Sequence, residues 1–392
     1  MGSAVIRAAA AFAIALSAFT AAYVSIEQSR YIVLATYLIL FALFFYYVAI
    51  FRGRARDLSL AGASLVLCLS ALELAIWRLA GAPMTFKEKG SWAPKAELGW
   101  SPARPGVIHE KKVAANGDVI YDVANTIDAN LTRKVDSTEV GPTIAFFGDS
   151  MTFGAGLNDE DTLPQSFADV TGRKYRVLNL AVTAYGPQQF LRALEVDAFD
   201  DLLKKDPRLF IMLTAPWHAA RTSCVASNSW LGPSYDLKDG KVVYLGPCSA
   251  QAPGIAGFLR SLFRSTEAFK FIFESHERSL KEADIDRYIA ILIRAGEIAR
   301  QKYGVPTLIL FLPDNLASAH YRLGPGYGNE DIMRKLREGG LLVVNALIDA
   351  SAYPPNSLII PGDGHPTGLA NRIWAKQIKA YIDSQVADLT PN

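Results

Sequence analysis

The most reactive group predicted from the sequence is the hydroxyl of Ser150. The segment Ile144 to Leu157, IAFFGDSMTFGAGL, is an apolar run that stops abruptly at Gly148. A buried strand followed by a tight turn would present Ser150 at the start of a helix, where free amide hydrogens can stabilise an oxyanion. The alternative is an ordinary strand-to-helix turn in which Asp149 or Ser150 caps the helix.

A second segment, Pro361 to Tyr381, supplies the groups that would activate a serine. It contains Asp363 and His365 directly before an amphipathic helix. A serine hydroxyl is a poor nucleophile until an imidazole removes its proton, and the imidazole needs a carboxylate or carbonyl to fix its tautomer. We therefore predict Ser150 as nucleophile, His365 as base and Asp363 as orienting acid. The alternative is that His365 only caps the helix.

Hydropathy predicts that the first part of the chain, residues 1–80, is a transmembrane anchor. Hydrophobic residues make up 51% of the sequence. The excess is local, in three stretches that each approach the ~20 residues needed to span a bilayer as a helix. These predicted helices are Ala8 to Val24, Tyr31 to Phe51 and Leu58 to Leu79.

Charged residues beside these stretches predict their orientation. Arg7 precedes the first stretch, and Arg52, Arg54 and Arg56 fill the link between the second and third. By the positive-inside rule, we expect a multi-pass protein of the cytoplasmic (inner) membrane whose distal domain is periplasmic or extracellular. In the alternative, Met1 to about Ala22 is a cleaved signal peptide, and the distal domain keeps the same side.

Beyond the anchor, the pattern predicts a linker with a small extended subdomain at residues 81–142 and a catalytic domain at 143–392. Strands alternate with helices in the latter, which is typical of an α/β fold with a parallel sheet. The predicted strands are Thr143 to Phe147, Tyr175 to Leu180, Leu209 to Thr214, Thr307 to Leu312 and Leu341 to Val344. The predicted helices are Thr162 to Val170, Gln188 to Lys205, Asp284 to Tyr303, Glu330 to Glu338 and Leu369 to Ser384.

An insertion at about residues 215–280 separates the third predicted strand from the fourth. Long loops at this edge of an α/β sheet usually shape a pocket. The insertion contains Cys224 and Cys248. An even pair of cysteines outside the cytoplasm predicts a disulfide, with two unpaired thiols as the alternative.

Charge and motif content exclude several other classes of function. The chain carries 40 basic and 38 acidic residues, a net charge of +2, so it has no field that would attract nucleic acid. It has neither a metal-ligand spacing nor a Gly-rich phosphate loop. We predict no metal and no other cofactor.

The two reactive segments resemble blocks of the GDSL-type, or SGNH, hydrolases, and the resemblance covers about Thr143 to Ser384. It implies a serine esterase or acyltransferase with a flavodoxin-like three-layer α/β/α fold and a parallel five-stranded sheet. GDSMTFGAGL is similar to the first block of the family. This implies that Ser150 is the nucleophile and that its own amide joins the oxyanion hole.

The second family block has an Asn followed by a Gly whose amide serves the oxyanion, and Asn179 to Gln189, NLAVTAYGPQQ, resembles it. Counting from Asn179 puts Ala184 where Gly is usual. The resemblance implies that the amide of Ala184 is the donor. Because Ala tolerates positive φ poorly, Gly186 is the alternative donor, and an ordinary strand end and loop is the other alternative.

The third and fourth blocks depart from the family pattern. The third usually carries an Asn that donates to the oxyanion, but LTAPWHAART contains His218 and Arg221 instead. We predict His218 as a donor and Arg221 as a group that holds a carboxylate or phosphate-like anion. The alternative for His218 is a loop histidine anchored by hydrogen bonds.

The fourth block is usually Asp-x-x-His, whereas Asp363 stands two residues before His365. A backbone carbonyl is therefore the alternative group for orienting the imidazole.

These observations predict a membrane-anchored serine esterase that acts on ester groups, O-acyl groups above all, of an extracytoplasmic glycan, lipid or polymer. One alternative is an O-acyltransferase that modifies an envelope polysaccharide with the same residues. The other is a catalytically retired glycan-binding or assembly module, suggested by the missing Asn and the short Asp-His spacing. The expected partners are the acylated substrate, the membrane and envelope-assembly proteins, without nucleic acid.

Overall fold

The computed structural model describes residues 29–80, 84–87, 91–226, 229–251, 266, 268–269, 280–314, 316 and 321–385. The chain divides into two compact units, Met1–Ala82 with Gly254–Ser275 and Pro83–Pro253 with His276–Asn392. The first predicted transmembrane helix, residues 8–24, lies outside the described residues.

The helices, in chain order, are α1 (Ser29–Ile50), α2 (Arg54–Ala80), α3 (Ser150–Phe153), α4 (Leu163–Val170), α5 (Pro187–Glu195), α6 (Asp200–Leu203), α7 (Ala219–Thr222), α8 (Glu282–Tyr303), α9 (Asn329–Glu338) and α10 (Gly368–Gln385). The strands are β1 (Met84–Lys87), β2 (Trp92–Lys95), β3 (Gly99–Pro102), β4 (Gly106–Val113), β5 (Val119–Ile127), β6 (Thr143–Phe147), β7 (Arg176–Asn179), β8 (Pro207–Thr214), β9 (Pro233–Lys238), β10 (Lys241–Pro247), β11 (Leu280–Lys281), β12 (Thr307–Phe311), β13 (Tyr321–Arg322) and β14 (Leu342–Asn345).

The first unit contains α1 and α2, which pack together where Gly62 of α2 lies against the ring of Phe44. Among the described residues, only Arg54–Ile76 is both long and apolar enough to cross a membrane. A shorter apolar segment, Ala35–Ile50, lies within α1. The prediction of three transmembrane helices and a multi-pass protein is therefore not supported.

The second unit is built on a parallel five-stranded sheet in the spatial order β7-β6-β8-β12-β14. Numbered along the chain, that order is 2-1-3-4-5, the flavodoxin-like arrangement. Every residue of β6 and β12 is buried, because continuous apolar runs suit strands covered on both faces. The predicted α/β fold with five parallel strands is confirmed.

Helices cover both faces of this sheet. The cluster on one face includes Phe167 of α4 and Trp374 of α10, and the cluster on the other includes Leu191 of α5 and Leu292 of α8. The predicted helix Gln188 to Lys205 is two helices, α5 and α6. The chain turns between them, where Asp197 has a φ of +58° that a helix does not accommodate.

The predicted extended subdomain contains an antiparallel sheet in the order β1-β4-β5 and a separate β2-β3 pair. The sheet is fixed to the loop after α3, because Asn158 and Asp159 accept hydrogen bonds from the amides of Ala124 and Thr126 in β5. Strand β5 is thus bonded to the loop that follows the predicted nucleophile.

Arg133 fixes the same loop from inside the protein. Its buried guanidinium donates to the carbonyls of Phe153, Gly154 and Leu157, at 3.1, 2.7 and 2.7 Å. It also pairs with Asp159 at 3.1 Å. Because the first two carbonyls end α3, this one side chain satisfies the helix terminus that follows Ser150.

The insertion contributes an antiparallel hairpin of β9 and β10. A disulfide joins Cys224 to Cys248, with Cα atoms 5.6 Å apart. Within the loop it closes, Gly232 and Trp230 accept hydrogen bonds at 2.8 Å from the amides of Cys248 and Ser249. The disulfide therefore tethers both ends of the segment that carries Trp230.

We predict that Arg133→Met lowers the free energy of unfolding by about 3 kcal/mol or more, because buried carbonyls and Asp159 lose their donor. Urea denaturation followed by tryptophan fluorescence measures this. Lys134→Met, at the exposed neighbouring position, is the matched control and should change stability by less than about 0.5 kcal/mol. Equal losses in the two variants would contradict a specific role for the guanidinium.

Candidate active site

Ser150 stands where the central strand β6 ends and α3 begins. Gly148 turns the chain with a φ of +154°, and a Cβ atom there would lie 2.3 Å from the hydroxyl oxygen of Thr152, so no larger residue fits without a shift. Asp149 caps α3 by accepting a hydrogen bond from the amide of Met151 at 2.9 Å. The cap named as an alternative thus exists, but Asp149 supplies it and Ser150 is left free.

The structure brings the predicted base to this hydroxyl. Nε2 of His365 lies 2.8 Å from Oγ of Ser150, and Nδ1 lies 2.5 Å from Oδ2 of Asp363. Gly364, between the acid and the base, has a φ of +92° and allows a tight turn. The shorter Asp-x-His spacing therefore lets Asp363 reach the imidazole, without a backbone carbonyl in its place.

The acid is deeply buried and the base is not. The side chain of Asp363 is 1% exposed and that of His365 is 27% exposed. Burial alone would raise the pKa of Asp363, but hydrogen bonds from His365 and Lys112 outweigh it and lower the pKa to about 2. The carboxylate therefore stays ionised and can stabilise an imidazolium. The contact with Lys112, from β4, was not predicted from the sequence.

Ala184, not Gly186, has the backbone expected of an oxyanion donor. Ala184 has a φ of +66°, in the left-handed region that favours glycine. The amide of Gly186 is engaged, because it donates to Oε1 of Gln189 at 2.8 Å. Among the residues that the structure describes, the amides of Ser150 and Ala184 have no hydrogen-bond partner. Neither amide is therefore engaged by the described part of the protein.

Asn179 was predicted to contribute to the oxyanion or substrate-binding site, but its side chain is bonded within the protein. Its buried amide donates to the carbonyls of Thr152 and Phe153, at 3.2 and 3.4 Å, and its oxygen accepts from the amide of Ala181 at 3.2 Å. It connects the end of β7 to α3.

His218 and Arg221 both converge on Asp149. Nε2 of His218 lies 3.0 Å from Oδ2 of Asp149, and Nη1 of Arg221 lies 2.9 Å from the same oxygen. Nδ1 of His218 is 3.0 Å from the hydroxyl of Thr214. With both ring nitrogens bound and the side chain fully buried, His218 is not placed to donate to a substrate. It matches the alternative of an anchored histidine.

Burial and the charge of Arg221 determine where the protons lie on His218 and Asp149. Burial, followed by the charge of Arg221, lowers the pKa of His218, so the imidazole is neutral. Its Nε2 proton then points to Asp149, and Nδ1 accepts from Thr214. Burial opposes ionisation of Asp149, but Arg221 and the hydrogen bonds hold its pKa well below the usual value. The same nitrogen of Arg221, Nη1, also donates to the carbonyl of Tyr185, so the guanidinium is engaged within the protein.

Comparison with known proteins gives fold-level likenesses only. No family model matches the chain, and no curated protein matches it. Similar solved structures include a G-D-S-L family lipolytic protein from Veillonella parvula, with 13% identity and a TM-score of 0.36, covering 62% of this chain and all of that one. The esterase EstA from Pseudoalteromonas sp. has 12% identity and a TM-score of 0.34, covering 63% and 100%. At such low identities and TM-scores these likenesses carry no argument about the site.

An open cleft of about 410 Å³ adjoins the Ala184 turn. Its lining is Trp92, Trp100, Thr183, Ala184, Trp230 and Leu231. The indole of Trp100 donates to the carbonyl of Thr183 at 2.9 Å, which ties the cleft wall to the turn. The tryptophans come from β2, β3 and the disulfide-closed loop, so no sequence motif marks them as one surface.

We predict that Ala184→Gly keeps activity on an ester substrate and raises the free energy of unfolding by up to about 1 kcal/mol. The donor amide remains, and glycine removes the strain of a left-handed alanine. Thermal denaturation and ester hydrolysis measure the two effects. Ala181→Gly, three residues earlier and without a positive φ, is the control and should lose stability. Loss of stability in Ala184→Gly as well would argue against the left-handed conformation.

Proposed function

We propose that this chain is a serine esterase of the SGNH type, with Ser150 as nucleophile, His365 as general base and Asp363 as the orienting acid. The observation that carries the proposal is the continuous line of contacts from the hydroxyl to the imidazole at 2.8 Å and from the imidazole to the carboxylate at 2.5 Å. Both lengths suit proton transfer from the serine.

In the proposed reaction, Oγ of Ser150 bonds to the acyl carbon of the ester while its proton passes to Nε2 of His365. The amides of Ser150 and Ala184 donate to the oxyanion of the tetrahedral intermediate. Collapse breaks the carbon–oxygen bond to the alcohol, which leaves with the proton from His365. Water then attacks the acyl carbon while His365 takes its proton, the bond to Oγ of Ser150 breaks, and Oγ regains a proton from His365 as the acid is released. If the hydroxyl of an acceptor attacks in place of water, the same steps release a new ester.

The cleft lined by Trp92, Trp100 and Trp230 is evidence that the substrate carries an apolar group. Among the residues that the structure describes, the lining has no charged side chain and a single hydroxyl, that of Thr183. Such a surface gains free energy by removing apolar groups from water. We assign it to the acyl part of the ester, next to the proposed oxyanion amide of Ala184.

We also propose that α2 attaches the protein to a membrane. Large apolar side chains stand exposed along it, among them Leu58, Leu65 and Leu67, as suits lipid contact rather than water. Arginines 52, 54 and 56 at its start favour the cytoplasmic side, and the disulfide favours an oxidising compartment for the distal domain. The ester substrate would then be extracytoplasmic.

Ser150→Ala should lower kcat on p-nitrophenyl esters by about a thousandfold or more, because no covalent intermediate can form. A fluorophosphonate probe should label wild-type protein at Ser150 and leave the variant unlabelled, as mass spectrometry of peptides would show. Ser351→Ala, at an exposed turn, is the control. Wild-type protein that neither hydrolyses esters nor takes the label would contradict an esterase and favour a binding module.

Trp230→Ala should lower kcat/KM for an octanoyl ester about tenfold more than for an acetyl ester, because the longer chain loses apolar contact area. The measurement is a series of p-nitrophenyl esters of increasing chain length. Leu347→Ala, exposed and outside the cleft, should leave the series unchanged. If Trp230→Ala lowers kcat/KM equally for the acetyl and octanoyl esters, the cleft does not bind the acyl chain.

A further inference from the structure

Lys112 reaches the catalytic acid from the extended subdomain. It lies on the central strand β4, paired with Thr85 of β1 and Tyr121 of β5. Its ammonium group contacts Oδ1 of Asp363, the carboxylate oxygen that does not face His365. The lysine side chain is 16% exposed and the aspartate side chain 1%. A residue 251 positions away in the chain therefore holds the free oxygen of the acid.

The contact is specific because neighbouring charges already have partners. Glu110, on the same face of β4, accepts from the hydroxyl of Tyr121 at 2.7 Å and pairs with Lys87 at 3.1 Å. Lys111, on the opposite face, pairs with Asp122 at 3.1 Å. Each acid near the strand thus has its own cation, and Lys112 is the cation of Asp363.

Geometry shows what this contact does for the acid. A buried carboxylate with one partner can rotate and must lose its hydration without full compensation. With an ammonium group on Oδ1, the plane of the carboxylate is fixed and Oδ2 is directed at Nδ1 of His365. The backbone amide of His365 adds a bond to Oδ2 at 3.2 Å.

We propose that Lys112 is a positioning residue of the esterase reaction, which extends the serine, histidine and aspartate into a four-residue line. The inference rests on the proposed function. It makes β4 a part of the catalytic apparatus, because Lys112 acts through Asp363 to hold the imidazole in the tautomer and orientation that accept the proton of Ser150.

The test compares full-length Lys112→Met, Lys112→Arg and Lys112→Ala with Lys111→Met, the matched control one residue away. Hydrolysis of p-nitrophenyl butyrate gives kcat and KM, and the rate of fluorophosphonate labelling reports Ser150 directly. We expect kcat of Lys112→Met to fall about 10- to 100-fold with little change in KM, less than the ~10⁴-fold loss on replacing an orienting acid. Lys111→Met should match wild type.

Restoring a positive charge at position 112 distinguishes a role in positioning Asp363 from a role in the stability of the fold. Lys112→Arg should recover most of kcat, and ethylammonium ions added to Lys112→Ala should raise its kcat and labelling rate, with no such effect on Lys111→Met. A Lys112→Met variant labelled and turning over at the wild-type rate would overturn the inference. So would variants that unfold at lower temperature and gain nothing from arginine or ethylammonium.

The same experiment distinguishes failure of the proposed role of Lys112 from failure of the proposed esterase activity. Wild-type protein that is not labelled at Ser150 would refute the esterase itself and the role of Lys112 with it. Wild-type protein that is labelled, together with an unaffected Lys112→Met, would refute the role of Lys112 alone.

Discussion

Asp149 brings a negative charge into the carboxyl edge of the parallel sheet, and two segments of the chain supply the groups that compensate it. The carboxylate follows β6, accepts from the amide of Met151 inside α3, and binds His218 and Arg221 from the loop after β8. Arg221 also holds the carbonyl of Tyr185, the neighbour of Ala184. Because an uncompensated buried charge costs about 3–5 kcal/mol, these segments are constrained to one another. The residues beside the nucleophile and beside the proposed second oxyanion donor are linked through one guanidinium.

The extended subdomain is the other constraint on the site. Arg133 satisfies the carbonyls after α3, Asn158 and Asp159 receive amides from β5, and Lys112 meets Asp363. Each contact joins the antiparallel sheet to a loop that carries or follows a reactive residue. The α/β domain holds the region after Ser150 too, through Asn179 and through Asn371, which donates to the carbonyl of Asp161. The subdomain adds charge-assisted hydrogen bonds to this region and to the turn before His365.

Local signals in the sequence predicted the sheet and the serine that we propose as nucleophile, whereas the contacts around that serine depend on residues far apart in the chain. Apolar runs such as β6 must be buried on both faces, so strand positions follow from hydropathy alone. The turn at Gly148 and the loop before α10 are equally local. No local sequence pattern predicts the contact between Lys112 and Asp363, because it forms only when β4 pairs in its sheet and the turn before His365 lies against that sheet. Hydropathy also predicted three membrane spans, of which the described residues support one, Arg54–Ile76.

The site contains two histidine–aspartate pairs, and their surroundings decide which one can do chemistry. His218 is fully buried, its second nitrogen is bound to Thr214, and Arg221 disfavours its protonation, so it has no atom left for a substrate. Nε2 of His365 contacts the hydroxyl of Ser150 and the imidazole stays partly exposed, as the proposed transfer of a proton between serine, imidazole and leaving alcohol requires. A histidine close to an aspartate in sequence or space is therefore insufficient to identify the base. The deciding features are a ring nitrogen that contacts the proposed nucleophile and a side chain that is partly exposed, and both favour His365.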